Sequence, residues 1–309
     1  MVNELILDLS KYSSFSLDYC FKSGQIFGWR KMDSYWYGPY DDVVLRLSQI
    51  SDRLKIHASK EISEKEIIHF LGLKDKKKDV DKRLALNLFM RSAISRYSAV
   101  RIFRQDPSNT ILSYLCAQNK NIPAIERMIF ELSRKFGDRV ELDGTTFYTF
   151  PRFGRIARSN VNELLRVGLG YRAKYLLEAS KALKEDVDYI NKIKEMSYVN
   201  AWNEMVAGNM KLIGVGPKVA DCILLYGFEK MEAFPIDVWV SRVYTTAFDK
   251  LLPEEESKYY FERLCLKNRL DKGLYLKLAN SARKVFGEYA GYAQLYIFMY
   301  GRDYLRYCR

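Results

Sequence analysis

Hydrophobic periodicity changes once along this chain, near residue 60, and that single change limits the fold class. Upstream, the segments QIFGWRKM, YWYGPY, VVLRLSQI and RLKIHAS are short, aromatic or β-branched, and separated by turn residues such as Asp33-Ser34 and Ser51-Asp52, as strands are. Leu45/Leu47 and Leu54/Ile56 alternate with polar neighbours, the pattern of an antiparallel sheet with one wet face. Before them, FSLDYCFKSG reads as a short helix with Ser16 as N-cap and Gly24 just past its end. Downstream the apolar spacing is helical. VDKRLALNLFMRSAISRYSAV reads as helix, another begins near Pro107, and NIPAIERMIFELSRKFG places Ile122, Ile125, Ile129 and Leu132 on one face with Gly137 as stop. NELLRVGLGYRAKYLLEASKAL is helical but interrupted by Gly168 and Gly170, and KDKKKD (74–79) reads as a solvated linker or loop. The sequence therefore predicts an α+β chain: a small antiparallel β-rich domain over residues 1–92 and a larger all-helical domain over 93–309.

Composition narrows the class of function. The 309 residues, 48% hydrophobic, suit a globular protein of about two domains. No apolar run approaches the ~20 residues that span a bilayer, and MVNELILDLSKYSSF mixes acids into its apolar residues without a basic start. A soluble, intracellular protein with no membrane partner is the expectation. Cys20, Cys116, Cys222, Cys265 and Cys308 are odd in number and widely spaced, without a CxxC. They argue against a zinc site, an iron–sulfur cluster or a disulfide framework. With only His57 and His69 in the chain, histidine catalysis and histidine metal sites are disfavoured. The net charge of +12 suits a polyanionic partner, because each neutralised phosphate releases counterions.

One stretch carries chemistry. SYVNAWNEMVAGNM repeats apolar residues at Val199, Trp202, Val206 and Met210, and after it LIGVG leads into a helix opening at Pro217. Helix, glycine turn, helix is a helix–hairpin–helix. Gly214 and Gly216 can adopt positive φ and leave backbone amides unobstructed. Those amides and the helix N-terminus offer a site for a DNA phosphate, or form only a tight turn between packed helices. Lys218 sits at the positive pole of that helix, which disfavours an ammonium by only ~0.3–1 kcal/mol. Desolvation against another part of the protein is needed to free the amine, which could then attack an electrophilic carbon and form a Schiff base. The other reading is a surface lysine reaching a phosphate. In FPIDVWVSRVYTTAF, Asp237 directly precedes an apolar helical run, the N-cap position. Capping amides and the helix dipole are expected to lower its pKa and keep it ionised, fit to stabilise an oxocarbenium-like sugar. A plain N-cap is the alternative.

Taken in order, SGQIFGW, RQDPSNTILSYLCAQNKNI, GLGYRAKY, LIGVGPKVADC, PIDVWV and YAGYAQLYIF closely resemble the 8-oxoguanine DNA glycosylase/AP lyases of the helix–hairpin–helix DNA glycosylase superfamily. The resemblance runs from about Ser23 to Phe298. It implies that Lys218 attacks the sugar C1′, that Asp237 is the essential carboxylate, and that β-elimination from the imine nicks the strand. It further implies a flipped base in a pocket. There the Gly24 carbonyl accepts the N7–H peculiar to 8-oxoguanine, Cys222 and Phe298 stack on the lesion, and Gln294 hydrogen-bonds the base edge. By the same resemblance Asn119 fills the vacancy in the duplex, Tyr171 wedges the stack and Arg172 contacts the orphaned cytosine. Read singly, Asn119 is a polar loop residue and Tyr171 and Arg172 are a helix surface pair. No metal or cofactor is implied; the partner is double-stranded DNA containing 8-oxoguanine, bound by a monomer.

Three positions depart from the family pattern. Ala124 stands where the family has a second cytosine-reading arginine, Trp239 where it has a DNA-contacting histidine, and Tyr226 where it has a pocket methionine. Two rival readings remain: a glycosylase for alkylated or other damaged bases on the same fold, and a non-catalytic helix–hairpin–helix DNA-binding module.

Overall fold

In the computed structural model, residues 2–247 and 270–304 are described; Cys265 and Cys308 lie outside them. Five strands, β1 (Val2–Asp8), β2 (Arg30–Met32), β3 (Tyr35–Tyr40), β4 (Val43–Ile50) and β5 (Arg53–Ile62), form one antiparallel sheet in the order β1-β5-β4-β3-β2. Leu45 and Leu47 on β4 and Leu54 and Ile56 on β5 are all buried, with Leu47 opposite Ile56, so the alternation reads correctly. A first strand, β1, escaped the sequence reading; Leu5 and Leu7 pair with Ile56 and Leu54. The short helix α1 (Leu17–Lys22), inserted between β1 and β2, is capped by Ser16 as expected.

QIFGWRKM is strand only over β2. Gly24 and Gly28, at φ +77° and +83°, bend residues 24–29 into a loop that a strand cannot follow. The buried Gln25 side chain replaces ladder bonds there, donating to Cys20 O and Arg101 O and accepting from Phe103 N at 2.7 Å. Glu126 accepts the Gly28 N–H at 2.9 Å, tying the loop to the helical body.

That body comprises α2 (Glu64–Phe70), α3 (Lys77–Leu84), α4 (Leu88–Tyr97), α5 (Pro107–Cys116), α6 (Ile122–Phe136), α7 (Phe153–Ala157), α8 (Val161–Arg166), α9 (Arg172–Glu185), α10 (Tyr189–Glu195), α11 (Tyr198–Val206), α12 (Pro217–Gly227), α13 (Val238–Ala247), α14 (Lys272–Phe286) and α15 (Ala290–Tyr304). Residue 92, where the sequence reading divided the chain, falls within α4, and one continuous apolar core runs from Leu7 to Met299.

Two expectations are corrected. KDKKKD is not a solvated loop: α3 begins at Lys77, whose side chain is 1% exposed, and its ammonium donates to Asp81 at 2.5 Å and to the Tyr296 hydroxyl. A run of six charged residues on a mobile segment looks identical in sequence to one that docks a lysine on tyrosines; only the tertiary partner on α15 separates them. Nor is the body all-helical. β6 (Arg139–Leu142) and β7 (Thr145–Tyr148) form a hairpin across Asp143-Gly144, both at positive φ, the two-residue turn that Asp-Gly favours. This hairpin docks on the sheet: Asp143 bridges Arg46 at 2.8 Å and His57 at 3.0 Å, and Phe147 stacks on Tyr37.

Candidate active site

The glycine turn and α12 build one wall. Gly214 has φ +90°, and a Cβ there would lie 2.6 Å from the Tyr175 ring, so glycine is required twice over. Gly216 differs from expectation: its φ is −98° and an added Cβ would meet nothing within 4 Å. Only Gly214 uses the left-handed region. Gly216 is the N-cap of α12, and among the described residues no side chain caps that helix, which leaves its first N–H groups open toward an anion.

Asp221 sets the rotation of α12. Its fully buried carboxylate accepts from Tyr198 on α11 at 2.5 Å and from Tyr275 on α14, while Arg283 donates to the Tyr198 hydroxyl at 2.8 Å. With Asp221 held inward, Lys218 and Cys222, four residues apart, share another face. Both line a cavity of about 270 Å³. Burial pushes the Cys222 thiol up to about 12, so it is a neutral stacking surface rather than a nucleophile.

Asp237 enters the same cavity from the start of α13. Its Oδ1 accepts from Val240 N at 2.8 Å, the capping bond expected of it. The expected lowering of its pKa is not observed: burial raises it, and the nearby Lys218 charge and the backbone amides of Val240 and Trp239 only partly offset that. A cap is legible in sequence; the low-dielectric wall around it is not. The burial expected of Lys218 is also missing, since its side chain is exposed at the cavity rim. Among the described residues nothing covers it, so the desolvation is left to whatever closes the cavity.

Opposite stand the loop after α1 and the helix α15. A Cβ on Gly24 would lie 3.1 Å from Ile122 and 3.5 Å from the Phe298 ring, so the Gly24 backbone sits directly against Phe298. Gln294, one turn earlier on α15, is buried and lines the cavity with Phe298. Tyr114, Ile122, Tyr226, Trp239 and Arg302 also line it. Arg302 lies 5.3 Å over the Phe298 ring and donates to Lys22 O at 2.8 Å. The sequence reading missed Tyr114, Ile122 and Arg302 as lining groups; the spacing of four from Phe298 to Arg302 was the available signal.

A second cluster lies outside the cavity. Asn119, exposed and at φ +52°, donates through Nδ2 to the Tyr171 hydroxyl at 2.9 Å, and Tyr171 is itself 49% exposed. Arg172 does not join them at the surface. It is 3% exposed, and its guanidinium donates to Gln118 O at 2.9 Å and to Leu169 O at 3.3 Å. In this state it braces the turn that carries Asn119.

Comparison with known proteins places this arrangement. Residues 6–111 match the family model for the 8-oxoguanine DNA glycosylase N-terminal domain. The chain is 30% identical to the N-glycosylase/DNA lyase of Saccharomyces cerevisiae, covering 90% of this chain and 81% of that one. It is 34% identical to a probable N-glycosylase/DNA lyase of Methanothermobacter thermautotrophicus over 66% of this chain and 64% of the other. The apo crystal structure of Clostridium acetobutylicum 8-oxoguanine glycosylase/lyase superposes with a TM-score of 0.81 at 25% identity, covering 97% of each chain.

Proposed function

The chain belongs to the 8-oxoguanine DNA glycosylase/AP lyase family, and on that premise we propose how its own residues carry out the reaction. It excises 8-oxoguanine from duplex DNA and then nicks the strand, acting as a single chain. The observation that carries the residue assignment is the convergence of Lys218, Asp237, Cys222, Gln294, Phe298 and the Gly24 loop on one cavity.

The duplex is gripped at the Gly214–Gly216 turn, where the uncapped N–H groups of α12 meet a backbone phosphate. Asn119 and Tyr171, hydrogen-bonded and exposed, enter the stack as the damaged nucleotide leaves it. The extruded base slides between Cys222 and Phe298, against the Gly24 backbone. DNA then covers Lys218, supplying the desolvation that the described residues do not. The Lys218 Nζ attacks C1′; the C1′–N9 bond breaks, its electron pair departs with the base, and the base takes up a proton. Asp237, held by the α13 amides, stabilises the positive charge on the sugar while that bond opens. The C1′–O4′ bond then opens, the remaining proton of the nitrogen passing to O4′, and the imine so formed acidifies C2′–H. Loss of that proton expels the 3′ phosphate and nicks the strand.

Borohydride reduction tests this chemistry. Incubation with an 8-oxoguanine:cytosine duplex and borohydride is expected to give a covalent protein–DNA adduct with the wild type and none with Lys218→Gln. Base release without an adduct would point to the aspartate-only chemistry of alkylated-base glycosylases, and binding alone to a non-catalytic clamp.

A further inference from the structure

Tyr175 has no part in the reaction as derived above, yet it touches both of the elements that meet the duplex. It lies on α9 one turn after Tyr171, so the two side chains share a face of the helix. Tyr175 is half-buried and Tyr171 exposed. Their rings meet edge to face with centroids 5.7 Å apart, an arrangement that aromatic pairs prefer. The same Tyr175 side chain presses on the glycine turn. A Cβ on Gly214 would lie 2.6 Å from its Cδ2, 2.7 Å from its Cγ and 2.9 Å from its Cβ. Cβ and Cγ stay in place when the ring turns, so the contact fixes the turn against α9 whatever the ring does.

Tyr171 is held from its other neighbours as well. Its hydroxyl accepts from Asn119 Nδ2 at 2.9 Å, and the Arg172 guanidinium lies 4.4 Å over its ring. Arg172 also donates to Gln118 O at 2.9 Å, on the turn that carries Asn119. One line of contacts therefore runs from the Gly214 turn through Tyr175 and Tyr171 to Asn119. Two separate tasks meet on that line. Phosphate contacts fix register and orientation on a duplex but move no base. Extrusion costs unstacking energy, which a wedge offsets only if it enters at the step the grip has selected.

We propose that Tyr175 is a positioning residue for extrusion: it sets the Asn119–Tyr171 pair at a fixed distance from the Gly214–Gly216 turn, so that gripping the strand aims the wedge at the base to be removed. This inference rests on the reading of the turn as a phosphate grip and of Asn119 and Tyr171 as the wedge.

The test compares single-turnover excision of 8-oxoguanine from a duplex with nicking of an abasic duplex, where there is no base to extract. Tyr175→Leu is expected to slow excision about ten- to a hundredfold, the size of effect that a small misplacement causes, and to leave abasic nicking near wild type. A 2-aminopurine beside the lesion, which brightens as the stack opens, is expected to brighten more slowly by the same factor. An equal fall on both substrates would mean a packing role alone and overturn the proposal, as would an unaltered excision rate. Tyr175→Phe keeps both ring contacts and is expected to excise like the wild type. A loss there as large as in Tyr175→Leu would assign the effect to the hydroxyl instead of the ring and also overturn it. In a Tyr171→Ala background, Tyr175→Leu is expected to cost little further excision; an undiminished second loss would show that Tyr175 does not act through the wedge. A wild type that excises and nicks, paired with any of these contrary outcomes, sinks only this inference. A wild type that does neither sinks the functional reading with it.

Discussion

Asp237 holds a carboxylate that is half-buried beside a lysine, and the two influences on it oppose each other. Because burial raises its pKa, the ionised form is lost as pH falls sooner than for an exposed aspartate. Excision should therefore decline on the acid side at a pH above the ordinary carboxylate value of about 4, and Asp237→Asn should abolish that limb. The same variant should lower turnover by about a hundredfold or more while DNA binding, measured by fluorescence anisotropy, stays near wild type. Unchanged turnover would remove the carboxylate from the mechanism. Ala124, near the start of α6, cannot hydrogen-bond a base edge as an arginine would. Excision opposite the four bases should be near equal; a cytosine preference of a hundredfold or more would contradict this. Ala124→Arg should raise that preference about tenfold, within the range of one bidentate contact. The sequence exposed what is local at these positions, such as the N-cap at Asp237 and the missing arginine. It hid what depends on distant chain: the burial of Asp237, the exposure of Lys218, the backbone anchoring of Arg172, and the burial of Lys77 against Tyr296.

Among the elements, α12 is the one on which the site turns. Its start was readable because Gly216 and Pro217 mark it and an apolar run follows. Its rotation was not, because Tyr198 and Tyr275 approach Asp221 from other helices. Asp221→Ala leaves two buried hydroxyls without their acceptor and should cost about 3 kcal/mol of unfolding free energy, measured by urea denaturation. A loss below about 0.5 kcal/mol, the size expected of an ordinary surface change, would show that the clamp contributes little. The β6–β7 hairpin carried an Asp-Gly signal that could have been read. The loop over residues 24–29 could not, because its aromatic and β-branched residues look like a strand until the glycine φ values are known.

At the scale of the molecule, the cavity exists only because the β-rich part and the helical body share one core. Ser23 and Gly24 come from the loop beside the sheet, Lys218 and Cys222 from α12, Asp237 from α13, and Gln294 and Phe298 from α15. Glu126 fastens that loop through Gly28, and burial pushes its carboxyl from 4.5 up to about 7. A carboxyl raised on folding binds its proton more tightly in the native state. Its stabilising contribution is complete below pH 4.5, fades as pH rises toward 7, and is absent above. Glu126→Gln keeps an acceptor without the charge, so its melting temperature relative to wild type should climb across that window and level off beyond it. A constant difference would mean that Glu126 is not preferentially protonated in the fold. The central claim is tested most directly by locating the bond to DNA. Borohydride-trapped adduct, digested and sequenced by mass spectrometry, should carry the sugar remnant on Lys218. A remnant on any other amine would contradict the account.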